Sequence, residues 1–358
     1  KPSLLIRKSI RILHVTNFNE RHDGRLYFNT GRRLNNGFIR LGHSVLEFSD
    51  RDIIKHYKSI KDYTGANTLN EKLINTVYNY KPDLLIFGHA DLIKYSTLDH
   101  LRKSYKNLKI AQWFLDPLIK DGPDFEKNKT RILDKIEYTD ANFITTSPDA
   151  LNFLPKKKLS LFMPNPTDPS FEVLNNYENN QCSMDVFFAL SHGVHRGILK
   201  PGKYDERADF VNRLVEVTPN VKFDLYGINN IQPIWADSFL KSISNAKMGV
   251  NLSRGNPIKY YSSDRITQLI GNGLLTFIHK DTLYNNFFTN KEVIFYSNLN
   301  DLSEKIQRFA RDDKTRKKIA KNGKIKYMKY FNSTIVASYI INKTFELKGK
   351  NKFLWENK

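Results

Sequence analysis

The chain has 358 residues, which is longer than most single domains, so two domains are predicted. With 40% hydrophobic residues it can form well-packed cores. No run approaches the about 18–20 apolar residues that span a bilayer, no secretory signal is recognisable, and the single Cys182 excludes an internal disulfide. We therefore expect a globular, cytoplasmic protein.

The net charge is +20, from 57 Lys and Arg residues against 37 Asp and Glu residues. A basic surface attracts nucleic acid, acidic lipid headgroups, nucleotide phosphates or acidic glycans. Abundant Lys, Asn and Ile also fit codon bias in an AT-rich genome, so a functional anion-binding surface and a solvated basic face both stay open. The run KTRKKIAKNGKIKYMK is compatible with peripheral docking on an anionic membrane, although its spacing fits an ordinary amphipathic helix better.

Apolar strands and helical patterns alternate over the first half of the chain. Strands are predicted at IRILHVTNF, SVLEFSD, DLLIFGHAD, KIAQWFLD, ANFITTS and LSLFMPNP, and helices at NTGRRLNNGFIRLGH, TLNEKLINTVYNYKPD, STLDHLRKSY and, as a short element, PDALNFL. Helices between apolar strands imply parallel strands covered on both sheet faces. Residues 1–170 therefore predict a doubly wound α/β domain.

A polar, asparagine-rich stretch at 171–184 lacks periodicity and is interpreted as a linker. A second alternating series of strands and helices follows and predicts a second α/β domain over residues 185–335. Residues 336–358 are helical in pattern and form a predicted tail that could cross back to the first domain. Two such lobes would face a cleft.

The stretch NLSRGNPIKYYSSDRITQLIGNG carries the strongest ligand-binding pattern. A strand ends at Ser253, a glycine-containing loop follows, and a helix is predicted to start near Ser262, Ser263 and Asp264, which are good N-cap residues. Free backbone N–H groups there, with Lys259 and Arg265 beside them, predict a pocket for a diphosphate. The helix is predicted to end at Gly271–Gly273, before the strand LLTFI.

The segments KMGVNLS, SSDRITQLIGNGLLTFI, EVIFYSNLNDLSEKI and KTRKKIAKNGKI together resemble the donor-binding domain of GT-B glycosyltransferases, and most closely the group related to the spore-maturation protein CgeB. The resemblance implies two Rossmann-like domains, the first on the acceptor side and the second for a nucleotide sugar. It implies a metal-independent hexosyltransferase that moves a sugar from a nucleotide-diphosphate sugar to a cell-envelope glycan or glycolipid, such as lipopolysaccharide.

The chain departs from this pattern at two positions. Retaining relatives carry two glutamates eight residues apart, and the matching positions are Tyr260 and Gln268. Gln268 can still hydrogen-bond ribose hydroxyls, but it carries no charge. The stereochemistry of transfer therefore stays open.

The resemblance also implies which residues of the second domain contact the donor. Arg265 is the first candidate for contact with the leaving diphosphate and Lys259 the second, with Gln268 on the ribose. The remaining donor-site candidates are the backbone amides of Ser262 and Ser263, the strand end Tyr226–Gly227, and the cleft-facing loop residues Ser191, His192 and Gly193. Surface ion pairing, helix capping or core packing would account for the same residues without a ligand.

A base for the acceptor hydroxyl is expected at strand ends of the first domain. His89, Asp91 and Asp116 follow two predicted strands, and an imidazole or a carboxylate suits the role. Asp23 and Gly24 in the first loop are candidates for acceptor-side contacts, although Asp-Gly is foremost a turn signal. No metal cofactor is expected, because the sequence shows neither a DxD pair at a strand end nor a His/Cys cluster.

Two other functions stay open at this level. The charge permits an anionic-polymer binder for nucleic acid or acidic glycan, although no RNA-recognition motif, zinc finger or clear helix-turn-helix is present. The missing glutamate pair permits a catalytically inactive GT-B scaffold that binds a donor without turnover.

Overall fold

The computed structural model describes residues 9–191, 205–347 and 353–357. They fall into two compact units: Lys1–Lys120, Asp124–Pro166 and Asn332–Asn357 contain the first, and Asp121–Pro123 and Thr167–Phe331 contain the second. Among the described residues, no helix is long and apolar enough to cross a membrane.

A six-stranded parallel sheet forms the centre of the first unit. Its strands are β1 (Arg11–Thr16), β2 (Ser44–Ser49), β3 (Leu84–Gly88), β4 (Lys109–Phe114), β5 (Ala141–Ile144) and β6 (Ser160–Phe162), in the order β2-β1-β3-β4-β5-β6. All five residues of β3, LLIFG, are buried. This explains their unbroken apolar run, because a central parallel strand is covered on both faces.

Five helices connect these strands: α1 (Thr30–Arg40), α2 (Asp50–Tyr57), α3 (Ala66–Tyr80), α4 (Tyr95–Ser104) and α5 (Phe125–Ile136). The C-terminal helix Ser333–Thr344 completes the unit by packing against α1. Gly37 permits this contact, because a Cβ there would lie 2.1 Å from Ser333 O. Tyr339 of the C-terminal helix contacts Phe143 of β5. The sheet is therefore covered partly by a segment distant in sequence.

The second unit contains a five-stranded parallel sheet. Its strands are β7 (Met184–Ala189), β8 (Phe223–Tyr226), β9 (Ala246–Asn251), β10 (Leu275–His279) and β11 (Ile294–Tyr296), in the order β11-β10-β9-β7-β8. Its helices are α6 (Glu206–Glu216), α7 (Ala236–Ile243), α8 (Arg265–Gly271), α9 (Leu299–Arg311) and α10 (Asp313–Tyr330), so the C-terminal helix is α11.

Asparagine side chains begin three of these helices. Asn29 accepts a hydrogen bond from the backbone of α1, Asn298 from that of α9 and Asn332 from that of α11. Each cap satisfies a backbone N–H that the helix leaves unpaired and contributes about 1 kcal/mol. Part of the high asparagine content thus has a structural use.

Each sheet has one point where the strand order reverses, between β1 and β3 in the first unit and between β7 and β9 in the second. Ligands of open α/β sheets bind outside the carboxyl ends of the strands at such switch points. The prediction of two parallel α/β units is confirmed, and these two places define where a site should be sought.

Several local predictions differ from the structure. Helices α2 and α5 were not predicted, and the buried face of α2 carries Asp50 and Asp52, which hides its apolar pattern. PDALNFL forms only the 3-10 turn Pro148–Ala150, because the chain is extended again at Leu151. The predicted linker, residues 171–184, belongs to the second unit and is attached to it by side chains. Its Asn176 is buried and donates to the carbonyls of Ile243 and Ala246.

Candidate functional site

Arg265, the first residue of α8, lies at the switch point of the second unit. Its Nη1 donates to Leu252 O at 2.6 Å, just after β9, and its Nη2 donates to Ala189 O at 3.0 Å, at the end of β7. The guanidinium also lies over the ring of Phe188, 4.9 Å from its centroid. Arg265 therefore joins the two strand ends between which a ligand is expected.

The charge of Arg265 is only partly compensated. Burial, followed by the charge of Arg207, lowers the pKa of Arg265 to about 10, while Asp264 acts in the opposite direction. The side chain is still protonated at neutral pH, and its two backbone acceptors are neutral dipoles. A positive charge in this setting is suited to an anionic ligand. Contact with a leaving diphosphate stays a prediction.

The two serines before α8 are engaged within the protein. Ser262 is fully buried, and its hydroxyl accepts from Asn251 Nδ2 at 3.0 Å and donates to Ser263 O at 2.8 Å. The backbone N–H of Ser263 donates to Ser253 Oγ at 3.1 Å. The prediction of a free N–H at Ser263 was therefore wrong, because the loop folds back on its own hydroxyls. The N-cap of α8 is Asp264, without a side-chain cap bond.

Gln268 is partly exposed one turn into α8. Asn272 Nδ2 donates to its backbone oxygen at 2.9 Å, whereas no described residue hydrogen-bonds its carboxamide. Both ends of the carboxamide are thus available to a ligand such as a ribose. Its predicted role on the donor is compatible with this geometry.

The sequence predicted no site role for Arg207 and its neighbours at the start of α6. Arg207 binds Asp205 through two parallel hydrogen bonds, Nε to Oδ1 at 2.9 Å and Nη2 to Oδ2 at 2.7 Å. Glu206 accepts from the backbone N–H of Gly255 at 3.0 Å, which ties the start of α6 to the loop after β9. The signal in the sequence is DERAD, where opposite charges stand at a helix start.

Lys259 and Tyr260 precede the serines. Lys259 Nζ lies 5.2 Å from the centroid of the Tyr260 ring. Tyr260 is only 3% exposed, has a positive φ of 63°, and its hydroxyl accepts from Asn286 Nδ2 at 2.8 Å. Tyr260, one of the two positions that depart from the paired-glutamate pattern, is therefore a packing residue.

The end of β8 shows one structural role clearly. Gly227 has a φ of +73°, and a Cβ there would lie 2.1 Å from Leu190 O, so a side chain would clash. Tyr226 packs against Phe187 and accepts from Ser242 Oγ at 3.1 Å. Stacking of Tyr226 on a nucleobase stays a prediction. Ser191 is exposed after β7, whereas His192 and Gly193 lie outside the described residues.

His89 follows β3 at the switch point of the first unit. Its Nε2 lies 3.7 Å from Asp116 Oδ2, and its ring contacts Phe114. Burial lowers the pKa of His89 and outweighs the opposing effect of Asp116. His89 and Ala90 both have positive φ values, 65° and 44°, a strained pair of non-glycine residues of the kind that collects at functional sites. A neutral imidazole next to a carboxylate can accept a proton.

Asp91 has a different environment from His89. Its carboxylate accepts from Arg51 Nη2 at 3.1 Å and lies 3.0 Å from Arg131 Nη2. Burial acts to raise the pKa of Asp91, but Arg51 and Arg131 outweigh it and hold this pKa below its ordinary value. Arg131 Nη1 also donates to Asp116 at 3.3 Å. The lowered pKa makes Asp91 a poorer proton acceptor than an ordinary aspartate.

Two buried ionisable groups beside this cluster were missed. Asp50 is 2% exposed, and burial is the main cause that raises its pKa to about 6. Lys135 is equally buried, its Nζ donates to Arg131 O at 3.1 Å, and burial lowers its pKa to about 8. Sequence reasoning passed over both because charged residues on helices are usually exposed.

Asp23 and Gly24 lie on an exposed turn after β1. Their φ values are 52° and 79°, and the Asp23 N–H donates to Glu20 O at 3.2 Å. Asp52 fixes this turn, because its carboxylate accepts from the Glu20 N–H at 2.8 Å. The turn is confirmed, and a contact with acceptor stays a prediction.

Known proteins are similar to this chain in part of its sequence and in its fold. Residues 207–342 match a family model described as glycosyl transferase-like. A search of curated proteins finds no match. A solved alpha-glucosyltransferase in complex with UDP and a 13-mer DNA is 14% identical, with a TM-score of 0.63 and coverage of 94% of this chain and 100% of that one.

Two further structures are similar over nearly the whole chain. Anabaena Alr3699/HepE in complex with UDP is 11% identical, with a TM-score of 0.59 and coverage of 94% of this chain and 100% of that one. A glycosyltransferase from Rickettsia africae is 9% identical, with a TM-score of 0.58 and coverage of 98% and 100%. The chain has the GT-B fold. The narrower resemblance to the CgeB-related group stays a prediction.

Proposed function

We propose that the protein is a glycosyltransferase that moves a sugar, of hexosyl type, from a nucleotide-diphosphate sugar to an acceptor hydroxyl. One observation carries the proposal: within the segment similar to glycosyl transferases, Arg265 joins the ends of β7 and β9 through neutral carbonyls. Its charge is therefore left for an anion at the switch point of the sheet. A departing diphosphate is the anion that this reaction produces.

The donor is held, in this proposal, by residues around Arg265. Gln268 hydrogen-bonds the ribose through its available carboxamide, and Lys259 is the second cation. UDP is the first nucleotide to test, because two structurally similar proteins were solved in complex with UDP. We propose that no metal is needed, because arginine supplies the charge that a metal would supply.

His89 is the proposed base on the acceptor side. Its lowered pKa keeps the imidazole neutral at pH 7, and Asp116 stabilises the imidazolium that forms when the acceptor loses its proton. Asp91 pairs with Arg51 and Arg131, and its proposed role is to contribute to the electrostatic potential at His89. The proposed acceptor is a cell-envelope glycan or glycolipid, and a lipid-linked acceptor requires contact with an anionic membrane surface.

The test is thermal unfolding with UDP-, GDP-, ADP-, CMP- and dTDP-sugars, each with and without EDTA. A true donor at saturation adds about 2–4 kcal/mol to the free energy of unfolding, which raises Tm by several degrees. We expect one nucleotide class to do so and EDTA to change nothing. Release of the nucleoside diphosphate, with sugar transferred to a lipid-linked acceptor, would then establish turnover.

Each other outcome has a separate meaning. Loss of the shift in EDTA would contradict metal independence while leaving the donor site intact. Binding of a donor without turnover on any acceptor would favour the inactive scaffold. If every nucleotide sugar fails and heparin or DNA raises Tm, the protein is an anionic-polymer binder.

A further inference from the structure

Residues 55–64, which comprise the last turn of α2 and most of the connection to α3, expose large apolar side chains; we refer to this segment as the 55–64 loop. Ile60 is 103% exposed and Tyr63 is 85% exposed, the two highest values among the exposed large hydrophobic residues of the described chain. Tyr57, at the end of α2, is 41% exposed. Water-exposed apolar groups in one short loop cost free energy, and such groups mark interaction sites.

Hydrogen bonds hold this loop in one shape. The N–H of Ser59 and the N–H of Gly65 both donate to Asp62 O, at 3.1 and 3.0 Å, and Asp62 Oδ2 accepts from the Thr68 N–H at 2.8 Å. Gly65 has a φ of +74°, and a Cβ there would lie 2.7 Å from Ile54 O. Ile60 and Tyr63 therefore project from a structured turn anchored to α2 and α3.

The charge of the exposed side of the loop is entirely positive. Lys55, Lys58 and Lys61 are exposed, and no described acidic side chain pairs with them. The one carboxylate of the loop belongs to Asp62, which is only 8% exposed and is turned inward onto Thr68. The surface thus combines apolar groups with lysines and lacks an exposed acid.

The Lys-rich helix α10, which the sequence singled out for membrane contact, is built differently. Lys317 pairs with Asp313, Lys326 pairs with Glu292, and Lys324 donates to the carbonyl of Leu174. Ile325 is its one exposed large hydrophobic residue among those described, at 54%. Much of the charge of α10 is therefore used within the second unit.

We propose that the 55–64 loop is a membrane-contact site, in which Ile60 and Tyr63 enter the headgroup region of an anionic bilayer and the three lysines bind lipid phosphates. Charge complementarity selects this occupant, because exposed apolar side chains that alternate along the chain with exposed lysines match an anionic interface. The biological purpose of this membrane contact, which is to bring the enzyme to a glycolipid acceptor, rests on the proposed function. Binding itself requires no transferase activity.

The test is co-sedimentation of the full chain with phosphatidylcholine vesicles, with and without phosphatidylglycerol, at about 0.1 M salt. We expect binding only to the anionic vesicles. The double variant Ile60→Ser/Tyr63→Ser should weaken it at least about tenfold, because apolar insertion is lost. Lys58→Glu should weaken it by about fivefold or more, since each lysine near the surface contributes about 1 kcal/mol.

Two exposed isoleucines elsewhere provide matched controls. Ile39→Ser on α1, at a side chain 57% exposed, and Ile325→Ser on α10 should leave vesicle binding unchanged. All variants should keep Tm and the Tm shift with a nucleotide sugar, because exposed side chains contribute within about 0.5 kcal/mol to stability. That second readout separates failure of the donor site from failure of the membrane site.

Three results would overturn the inference. The loop variants could bind anionic vesicles as tightly as the wild type, or Ile325→Ser could lose binding instead, which would move the contact to α10. The wild type could also ignore vesicles and bind heparin or DNA, which would make the loop a polymer-binding surface. Vesicle binding with no nucleotide-sugar shift would uphold the membrane site and refute the transferase.

Discussion

Two arginines, one beside the strand ends of each unit, use their charge differently. Arg131 faces the strand ends of the first unit, where its guanidinium lies 3.0 Å from Asp91 and 3.3 Å from Asp116. Arg265 occupies the strand ends of the second unit, where it donates to the carbonyls of Leu252 and Ala189. The two carboxylates compensate the charge of Arg131. The two backbone carbonyls orient Arg265 but carry no net charge to compensate it.

The difference agrees with the two roles that the proposed function gives to the two units. Burial lowers the pKa of His89 despite the opposing charge of Asp116, so the imidazole stays neutral and can accept a proton. An arginine held by carbonyls keeps its charge, and Arg207 nearby has its own partner in Asp205. Acid–base chemistry therefore fits the first unit and anion binding fits the second.

The largest expected effect follows from Arg265→Lys. Lysine keeps the charge, but a single ammonium cannot reproduce the fork that joins two carbonyls. We expect the free energy of unfolding to fall by about 2–4 kcal/mol, since hydrogen bonds from a charged group are lost and carbonyls are left unpaired. The Tm shift with UDP-sugar should fall with it. Urea unfolding and nucleotide titration measure both.

Arg131→Lys provides the matched comparison. It should destabilise the first unit while leaving the nucleotide-induced shift intact, because its carboxylate partners lie in the first unit. Arg213→Lys, on the exposed side of α6, should change neither quantity. A full UDP-sugar shift in Arg265→Lys would contradict the role of the guanidinium fork.

The strands of both sheets could be predicted from the sequence, whereas the side-chain contacts of the candidate site could not. Apolar runs such as LLIFG predict buried parallel strands, because period and length decide them. Arg265 was found from its place after a strand and loop. Its bond to Ala189, 76 residues away, depends on the strand order, which a local pattern does not contain.

Buried charge was the hardest feature to predict. Asp50 and Lys135 lie on helices and carry no pattern that separates them from surface residues. Ser262 and Ser263 show the converse, since free backbone N–H groups were predicted there for a ligand. In the structure the Ser262 hydroxyl bonds Asn251 and the Ser263 N–H bonds Ser253. The type of a side chain determines which groups it can bind, but the tertiary structure determines which of these groups lie next to it.

A smaller, pH-dependent effect is expected for Asp50→Asn in the first unit. The folded-state pKa of Asp50 is about 6, raised from 3.8 chiefly by burial, so its neutral form is favoured by folding. That contribution is fully present below about pH 4 and is lost as pH rises through 6. Asparagine stays neutral, so the variant should gain about 2–3 kcal/mol over wild type between pH 4 and pH 8.

Urea unfolding of both proteins across that pH range measures the difference. Asp23→Asn is the control, because Asp23 is exposed and asparagine tolerates its positive φ. Parallel pH curves for Asp50→Asn and wild type would show that Asp50 is charged in the fold. Asp50 would then be a charged neighbour of Arg51 and Asp91.

The smallest effect is expected for Gln268→Ala, and it tests the second unit most directly. No described residue hydrogen-bonds the Gln268 carboxamide, so its removal should leave the free energy of unfolding of the unliganded protein nearly unchanged. Loss of one or two hydrogen bonds to ribose should weaken nucleotide-sugar binding about five- to tenfold. Calorimetric titration measures this, with Gln307→Ala on α9 as the control, since Gln307 is bonded to Ser303. Equal affinity in Gln268→Ala would remove this residue from the donor site and leave Arg265 and Lys259 as the proposed contacts with the nucleotide.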